Sequence, residues 1–236
     1  MVGAELVTWA RTRRTRGATF VGMAVSTMIA GIRVPDSALA RNATEFVHDV
    51  STRLLYDHSR RVFLWGSLLG QRRGLEYDPE LLYVGAMFHD IGLVEGHRST
   101  HQRFELDGAD AARAFLESHG IPEPDIALVW DAIALHTTPE IPLRKRPEVM
   151  LVTLGVECDV LGLYTDMLTR EQRSEVIAAH PRAGFKAGIV DAFFEGMRDR
   201  PDTTFGTMNA DILEGRLEGY VRPSLCEFIA ANPLGG

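Results

Sequence analysis

The stretch DPELLYVGAMFHDIG, residues 78–92, combines a helix start, an apolar helix body and a polar end. Asp78 followed by proline is typical of a first helical turn, because the Asp side chain accepts from free backbone N–H groups and proline has no N–H to satisfy. The apolar body ends at His89 and Asp90, and Gly92 is a common stop signal. The sequence therefore predicts a buried helix that carries a histidine and a carboxylate into the protein interior.

Similar signals recur on both sides of this stretch and predict an all-α fold. Helices are predicted over Ala38–Val50 (capped by Asp36 or Ser37), 53–69, 107–118, 124–137, 147–164, 170–197 and 208–220. No alternating apolar and polar run is long enough to predict a strand. Since 236 residues fit one domain, we expect a single helical bundle over residues 36–230, with a helical extension over 1–35 and extra helices at the C-terminus.

The composition is that of an ordinary globular protein, with 45% hydrophobic and 24% charged residues. A formal net charge of −7 disfavours nucleic acid as a partner, since the phosphate backbone is also negative. Cys158 and Cys226 are the only cysteines in the sequence, too few for a disulfide framework. We therefore expect a location in the reducing cytoplasm.

An arginine-rich start followed by an apolar stretch over residues 18–31 has the outline of a targeting signal. The stretch is too short, and too often interrupted by Thr, Ser and Gly, to span a bilayer. We therefore expect a buried helix there and no membrane partner. A homo-oligomer formed through this apolar segment is compatible with the pattern.

His58 lies on the apolar face of its predicted helix. Its neighbours at helical spacing are Leu54, Leu55, Val62 and Trp65, so its side chain is expected to point into the core. A buried histidine must satisfy both ring nitrogens. Hydrogen bonds to the backbone or a metal ion would each do so, and His58 alone does not decide between them.

His89 and Asp90 pose a sharper question, because a carboxylate at the end of an apolar run is costly to bury without a positive partner. No arginine or lysine lies in helical register with Asp90. At a helix end the chain leaves helical geometry, so both side chains can turn toward one point. A metal ion is therefore the better partner for Asp90.

Asp159 lies in the mostly apolar segment VTLGVECDVLG, residues 152–162. Gly155 and Gly162 lie four residues before and three residues after it, and glycines inside a helix are easiest to explain where another backbone or a ligand comes close. An exposed Asp159 beside a helix-packing site is the simpler alternative. Together with His58 and the His-Asp pair, Asp159 completes a nitrogen and oxygen ligand set that suits zinc, iron or manganese.

Catalytic roles are expected for His136, His101 and Glu105. His136 should point inward, because its helix neighbours are apolar. His97, His101 and Glu105 follow one another at intervals of four across a polar loop, and Glu95 is a further, weaker candidate. These side chains are either proton donors and extra ligands near the ion or exposed loop residues.

The placement of His101 and His136 also bears on the number of ions. If both bind metal, the site holds two ions bridged by Asp90. If they do not, one divalent ion is bound.

The order of His58, the HDIG segment at 89–92 and Asp159 resembles the H…HD…D pattern of the HD-domain metalloenzyme superfamily. Three segments resemble its cyanamide hydratase-like branch, namely DHSRRVFLWG (57–66), RFELDG (103–108) and AIALHT (132–137), although Arg103 stands where that branch usually has serine. The resemblance covers residues 50–165. Some members of the superfamily bind two ions and include di-iron oxygenases, which is a further alternative here. The spacing after His89 is unlike that of the oxygenase branch, so the resemblance favours one ion. The resemblance implies an all-helical fold and a hydratase or hydrolase that uses metal-activated water on a small molecule, as in the hydration of cyanamide to urea.

Two alternatives accompany this hypothesis. The first is a phosphohydrolase acting on a nucleotide or another phosphate ester, with Arg60, Arg61 and Arg98 as phosphate ligands. The second is a non-catalytic HD domain that serves as a binding module. The four candidate ligands are all present, which argues against the second alternative.

Overall fold

The computed structural model describes residues 27–233, and these residues form an all-helical bundle with one very short β-hairpin. The hairpin strands are β1 (Met28–Ile29) and β2 (Ile32–Arg33). The helices are α1 (Ala38–Val50), α2 (Arg53–Arg72), α3 (Pro79–Phe88), α4 (Phe104–Ser118), α5 (Glu123–Ala134), α6 (Pro147–Val156), α7 (Arg170–Ala179), α8 (Phe185–Met197), α9 (Ala210–Arg216) and α10 (Leu225–Ala230). The predicted all-α fold is therefore confirmed.

Side-chain caps explain where several helices begin. Ser37 accepts a hydrogen bond from the Ala40 N–H at the start of α1, and Asp78 accepts from two backbone N–H groups at the start of α3. Thr169 forms a full capping box at the start of α7. Each cap satisfies N–H groups that have no partner within the helix.

The centre of the bundle is the long contact between α2 and α6, the most extensive contact between two helices among the described residues. Gly66 and Gly155 make it possible. A Cβ at position 66 would lie 2.5 Å from the Leu151 carbonyl oxygen, and one at position 155 would lie 2.3 Å from the Val62 carbonyl oxygen. The two backbones therefore touch directly, as expected for Gly155 from the sequence.

A second apolar layer closes one end of the bundle. Phe185, Ile189 and Phe193 of α8 pack with Leu213 of α9 against Phe104. A buried arginine fixes the loop beside this layer, because Arg200 donates to the carbonyl oxygens of Gly92 and Gln102 and to the Asp107 carboxylate. No helix among residues 27–233 is both long enough and apolar enough to cross a membrane.

Two predicted helices differ most from the structure in their extent, and the helix predicted over 208–220 is also shorter, since α9 ends at Arg216. The helix predicted over 170–197 is divided into α7 and α8, because Pro181 interrupts the hydrogen bonding and Gly184 adopts a left-handed conformation with φ of 69°. The helix predicted over 147–164 ends at Val156 and continues as a single π-helical turn over Glu157–Leu161. Gly162 has φ of 74° and ends that turn, so it serves as a cap and does not pack against another helix.

The N-terminal extension differs from its prediction wherever it is described. Residues 1–26 of the helical extension predicted over 1–35 lie outside the described residues. The end of the helix predicted over 18–31 falls instead in the β-hairpin, whose turn residues Ala30 and Gly31 both have positive φ. The expectation of no strand is therefore wrong for this short segment, because two strand residues on each side are too few to give an alternating pattern.

Candidate metal centre

His58, His89 and Asp90 are buried, and they form the one group of three or more potential ligands found within residues 27–233. The Nε2 atoms of the two histidines are 3.1 Å apart. Oδ2 of Asp90 lies 3.2 Å from Nε2 of His89 and 3.5 Å from Nε2 of His58. Three of the four predicted metal ligands are thus brought to one point.

Two elements supply these side chains. His58 lies in α2, on the face covered by the core. His89 is the first residue after α3, and Asp90 then leaves helical geometry with φ of −104° and ψ of 6°. This change of direction explains how two adjacent side chains reach the same point.

The other ring nitrogens determine the chemistry of the histidines. Nδ1 of His89 donates to the Ala86 carbonyl oxygen at 2.7 Å, and Nδ1 of His58 donates to the Asp159 carboxylate at 2.7 Å. When Nδ1 carries the proton of a neutral imidazole, Nε2 presents a lone pair. Two lone pairs that face each other are stabilised by a cation between them. Histidines that bind a metal commonly donate their other ring N–H to a carbonyl oxygen or a carboxylate, as both histidines do here.

The Asp90 carboxylate is the strongest sign that this group binds a cation. Neither of its buried oxygens has a hydrogen-bond partner among the described residues. Burial alone raises its pKa, but His89 and His58 hold the pKa below its usual range. Conversely, burial alone lowers the pKa of His89, and Asp90 raises it above the ordinary value. The group therefore favours a positive charge, which a proton on His89 or a metal ion can supply, and two imidazoles with one carboxylate fit a divalent transition metal ion.

Asp159 lies behind His58 and not in the group of three. Its carboxylate accepts two hydrogen bonds from Arg61, both at 2.9 Å, and one from the Trp65 indole at 2.8 Å. Arg182 also donates to it. Burial alone raises the pKa of Asp159, but His58 and Arg61 hold it below the usual range. Asp159 therefore orients His58 in this structure, and direct binding of the ion by Asp159 stays a prediction.

His136 connects this group to a cavity. Its Nδ1 donates to the Ile133 carbonyl oxygen at 2.7 Å, and its buried Nε2 has no partner and lies 3.7 Å from Oδ1 of Asp90. Burial lowers the pKa of His136 to about 4, so the ring is neutral near pH 7. The side chain therefore presents a lone pair toward Asp90.

The cavity beside His136 has a volume of about 170 Å³. Apolar side chains from the end of α6, the π-helical turn, α8, the turn before α9 and α9 itself form most of its wall. They are Val156, Val160, Leu161, Ile189, Val190, Phe193, Met208 and Ile212. Among residues 27–233, no arginine, lysine or second histidine lines this cavity.

Glu105 is buried near His136, but its carboxylate is fully engaged. Oε1 accepts hydrogen bonds from Arg103 at 2.7 Å, from Asn209 at 3.0 Å and from the Thr137 hydroxyl. Burial alone raises the pKa of Glu105, but the hydrogen bond and the charge of Arg103 lower it below the ordinary value. Glu105 is therefore placed to hold other side chains in position. The sequence did not indicate Asn209, because that residue lies 104 positions away in the chain.

The remaining loop candidates lie away from the group. His101 is exposed, in the turn that precedes α4. His97 is half-buried and packs edge-on against the Phe46 ring, and Glu95 is exposed. The structure does not bring these three side chains to His58, His89 and Asp90.

The fold and this group define an all-helical protein with a candidate site for a divalent metal ion. A family model described as HD domain matches residues 55–178, which is more than half of the chain, and the chain belongs to this family. No curated protein matches the sequence. The match confirms the HD-domain superfamily and includes all four predicted ligands, whereas the resemblance to the cyanamide hydratase-like branch stays a prediction.

Proposed function

We propose that the chain is a metal-dependent hydratase or hydrolase that adds water to a small, uncharged or weakly polar molecule. A nitrile-like compound such as cyanamide is the model substrate. The observation that carries the proposal is the Asp90 carboxylate, which is buried without a hydrogen-bond partner, faces the Nε2 atoms of His58 and His89, and lies close to an apolar cavity.

One divalent ion is proposed for this point, with zinc or iron favoured and manganese allowed. When bound, such an ion supplies Lewis-acid chemistry that brings the pKa of water toward 7, so that hydroxide is available at neutral pH. The two-ion arrangement would need further ligands at the group. His101 is exposed, which favours a single ion.

His136 is proposed as the residue that moves a proton. Hydration of a nitrile forms a C–O bond, and protons taken from water end on the nitrogen. Nε2 of His136 is neutral, has no partner and belongs to a side chain that lines the cavity. Since Nδ1 is held by the Ile133 carbonyl oxygen, Nε2 can accept a proton from water and return it to the product.

The cavity favours this substrate class over phosphate esters. A cavity of about 170 Å³ with a mostly apolar wall suits a small, weakly polar molecule better than a phosphate ester. The three arginines considered as phosphate ligands also have other partners. Arg61 is fully buried against Asp159, Arg60 donates to the Tyr83 hydroxyl, and Arg98 donates to the Glu195 carbonyl oxygen.

Elemental analysis of the purified protein, followed by assays with cyanamide and with a nucleotide panel, tests the proposal. We expect about one zinc or iron per chain, formation of urea from cyanamide, and no release of phosphate. Asp90→Asn should abolish both the metal and the activity, whereas Asp166→Asn, at an exposed surface carboxylate, should keep both. A metal-loaded protein that releases phosphate and leaves nitriles unchanged would refute the proposal.

A further inference from the structure

Glu105 fixes the orientation of an amide at the cavity wall. Asn209 is 5% exposed, and its Nδ2 donates to Oε1 of Glu105 at 3.0 Å. Only the NH₂ end of an amide can donate to a carboxylate, so this hydrogen bond fixes Nδ2 toward Glu105 and Oδ1 on the opposite side. Arg103 and Thr137 hold the Glu105 carboxylate in turn, so the orientation of Asn209 is supported from behind.

The opposite end of this amide is an unused acceptor. Oδ1 of Asn209 forms no hydrogen bond with any of the described residues and is accessible to solvent. Because Asn209 also lines the cavity, a ligand bound there can donate to Oδ1. A ligand that displaces water from this acceptor binds better when it supplies a donor in place of the water.

A carboxylate adds to this preference. Glu157 also lines the cavity, at the start of the π-helical turn, and the Tyr164 hydroxyl donates to its Oε2 at 3.0 Å. Its Oε1 has no partner within the described part of the chain. Since none of the described residues that line the cavity is an arginine or a lysine, its free polar groups are mainly hydrogen-bond acceptors.

We propose that Asn209 and Glu157 are specificity-determining residues, and that they select small neutral or cationic molecules that present N–H groups and exclude anions. The selectivity between reacting substrates rests on the proposed function, whereas the selectivity in binding does not depend on it. If Asn209 only supported Glu105, the protein would bind ligands with and without N–H groups equally well.

The first experiment compares two nitriles, cyanamide and N,N-dimethylcyanamide, which differ in their N–H groups. Metal-loaded wild-type protein should prefer cyanamide by at least about tenfold in kcat/KM, since hydrogen bonds to two acceptors are at stake. Asn209→Leu keeps the volume and removes the acceptor, so the preference should fall roughly three- to tenfold. Asn42→Leu makes the same exchange at a surface residue that contacts His119, and it should leave the preference unchanged.

The second experiment measures binding, so that it does not depend on turnover. Isobutyramide and 3-methyl-2-butanone have the same shape and differ by NH₂ in place of CH₃. Ligand-observed NMR should show tighter binding of the amide to wild-type protein, and equal binding of the two ligands to Asn209→Leu. Glu157→Gln keeps the bond from Tyr164 and removes the charge, and it should weaken amide binding by a smaller factor.

The two experiments separate the two proposals. Absence of hydration together with a clear preference for the amide would overturn the proposed function and keep this inference. Hydration of both nitriles at similar kcat/KM, or equal binding of amide and ketone, would overturn this inference and keep the proposed function. Thermal unfolding checks that each variant is folded, and Glu157→Gln carries the test if Asn209→Leu is not.

Discussion

At the scale of single residues, Asp90 decides what the interior can hold. A buried carboxylate stabilises a protein when donors or a cation satisfy it, and it destabilises the protein when they are absent. The two oxygens of Asp90 have no donor in the described structure. Asp90 therefore destabilises the metal-free protein and stabilises the metal-loaded one.

The first prediction uses this difference in sign. After chelation, the free energy of unfolding of Asp90→Asn should equal that of wild type or exceed it by up to about 3 kcal/mol. The reason is that a carboxylate without a partner is removed and the new amide can donate to a histidine. With metal supplied, the order should reverse. Calorimetry of both proteins with chelator and with zinc measures this. A stripped variant clearly less stable than stripped wild type would show that Asp90 is satisfied without an ion.

The second prediction concerns acid stability through Glu105. Burial raises the pKa of Glu105, but Arg103 lowers it by more, so the pKa in the folded protein lies below the ordinary value. The ionised carboxylate therefore contributes stability that is present above about pH 4.5 and is lost as the pH falls through the folded pKa. Glu105→Gln should therefore cost ~2 kcal/mol at pH 6 and progressively less toward pH 3. Urea unfolding of the metal-free protein across this range measures the difference.

Glu214→Gln is the matched control for this experiment, because Glu214 is exposed on α9. Its free energy of unfolding should parallel that of wild type at every pH. A constant gap between wild type and Glu105→Gln from pH 6 to pH 3 would contradict the assignment of the Glu105 charge.

The sequence predicted the ligand residues better than it predicted their supports. His58 and His89 follow from helix register, and Asp90 follows from the lack of a cation in register. Asp159 is different, because its partner Arg61 lies 98 positions away in the chain and Arg182 belongs to the connection between α7 and α8. Such pairs depend on the tertiary packing, which local periodicity does not contain.

At the scale of elements, the contact between α2 and α6 positions the site. Val62 follows His58 by one helical turn, and its carbonyl oxygen lies where a Cβ of residue 155 would be. Any side chain at position 155 must push the helices apart at this level. The close packing of glycine is therefore linked to the position of the histidine.

The third prediction follows from this contact. Gly155→Ala should destabilise the protein by roughly 1–3 kcal/mol or more, because the obstructing atom belongs to the backbone. It should also weaken metal binding, since α2 carries His58. Gly215→Ala is the control: it lies in α9 with nothing within 4 Å of the added Cβ, and it should be neutral or stabilising by up to ~1 kcal/mol. Thermal unfolding and metal titration of both variants decide the matter.

Helix starts were easier to predict than helix ends. The caps at Ser37 and Asp78 are local, so the starts of α1 and α3 were predicted correctly. The end of α6 was not, because a π-helical turn continues the apolar pattern past Val156. The β-hairpin was also not predicted, since its turn uses Ala30 with positive φ, a position where glycine or asparagine is more usual.

At the scale of the whole molecule, the candidate metal ligands and much of the cavity wall come from different parts of the chain. The HD-domain match covers residues 55–178, which include His58, His89 and Asp90. α8 and α9 follow the match, and they contribute Ile189 and Ile212 to the cavity wall. The segment beyond the family match therefore supplies much of what a substrate would touch.

The last prediction tests whether one ion joins distant elements. His58 lies in α2 and His89 follows α3, so a bound ion would link two helices, and His136 after α5 lies beside Asp90. Binding to the folded state alone adds about 4 kcal/mol at a thousandfold excess over Kd. Hydrogen exchange should therefore slow in α2 and around the end of α3 when zinc is added, and the exposed helix α10 should not change.

Asp90→Asn provides the internal comparison for this experiment. In that variant, zinc should leave exchange unchanged everywhere, because the central negative ligand is missing. Protection confined to α2 and the residues after α3 would mean that His136 is not coupled to the ion and remains free to carry protons. Protection that also includes the end of α5 would mean that His136 is coupled to it. Slower exchange in α10, or none anywhere in wild type, would contradict an ion at this point.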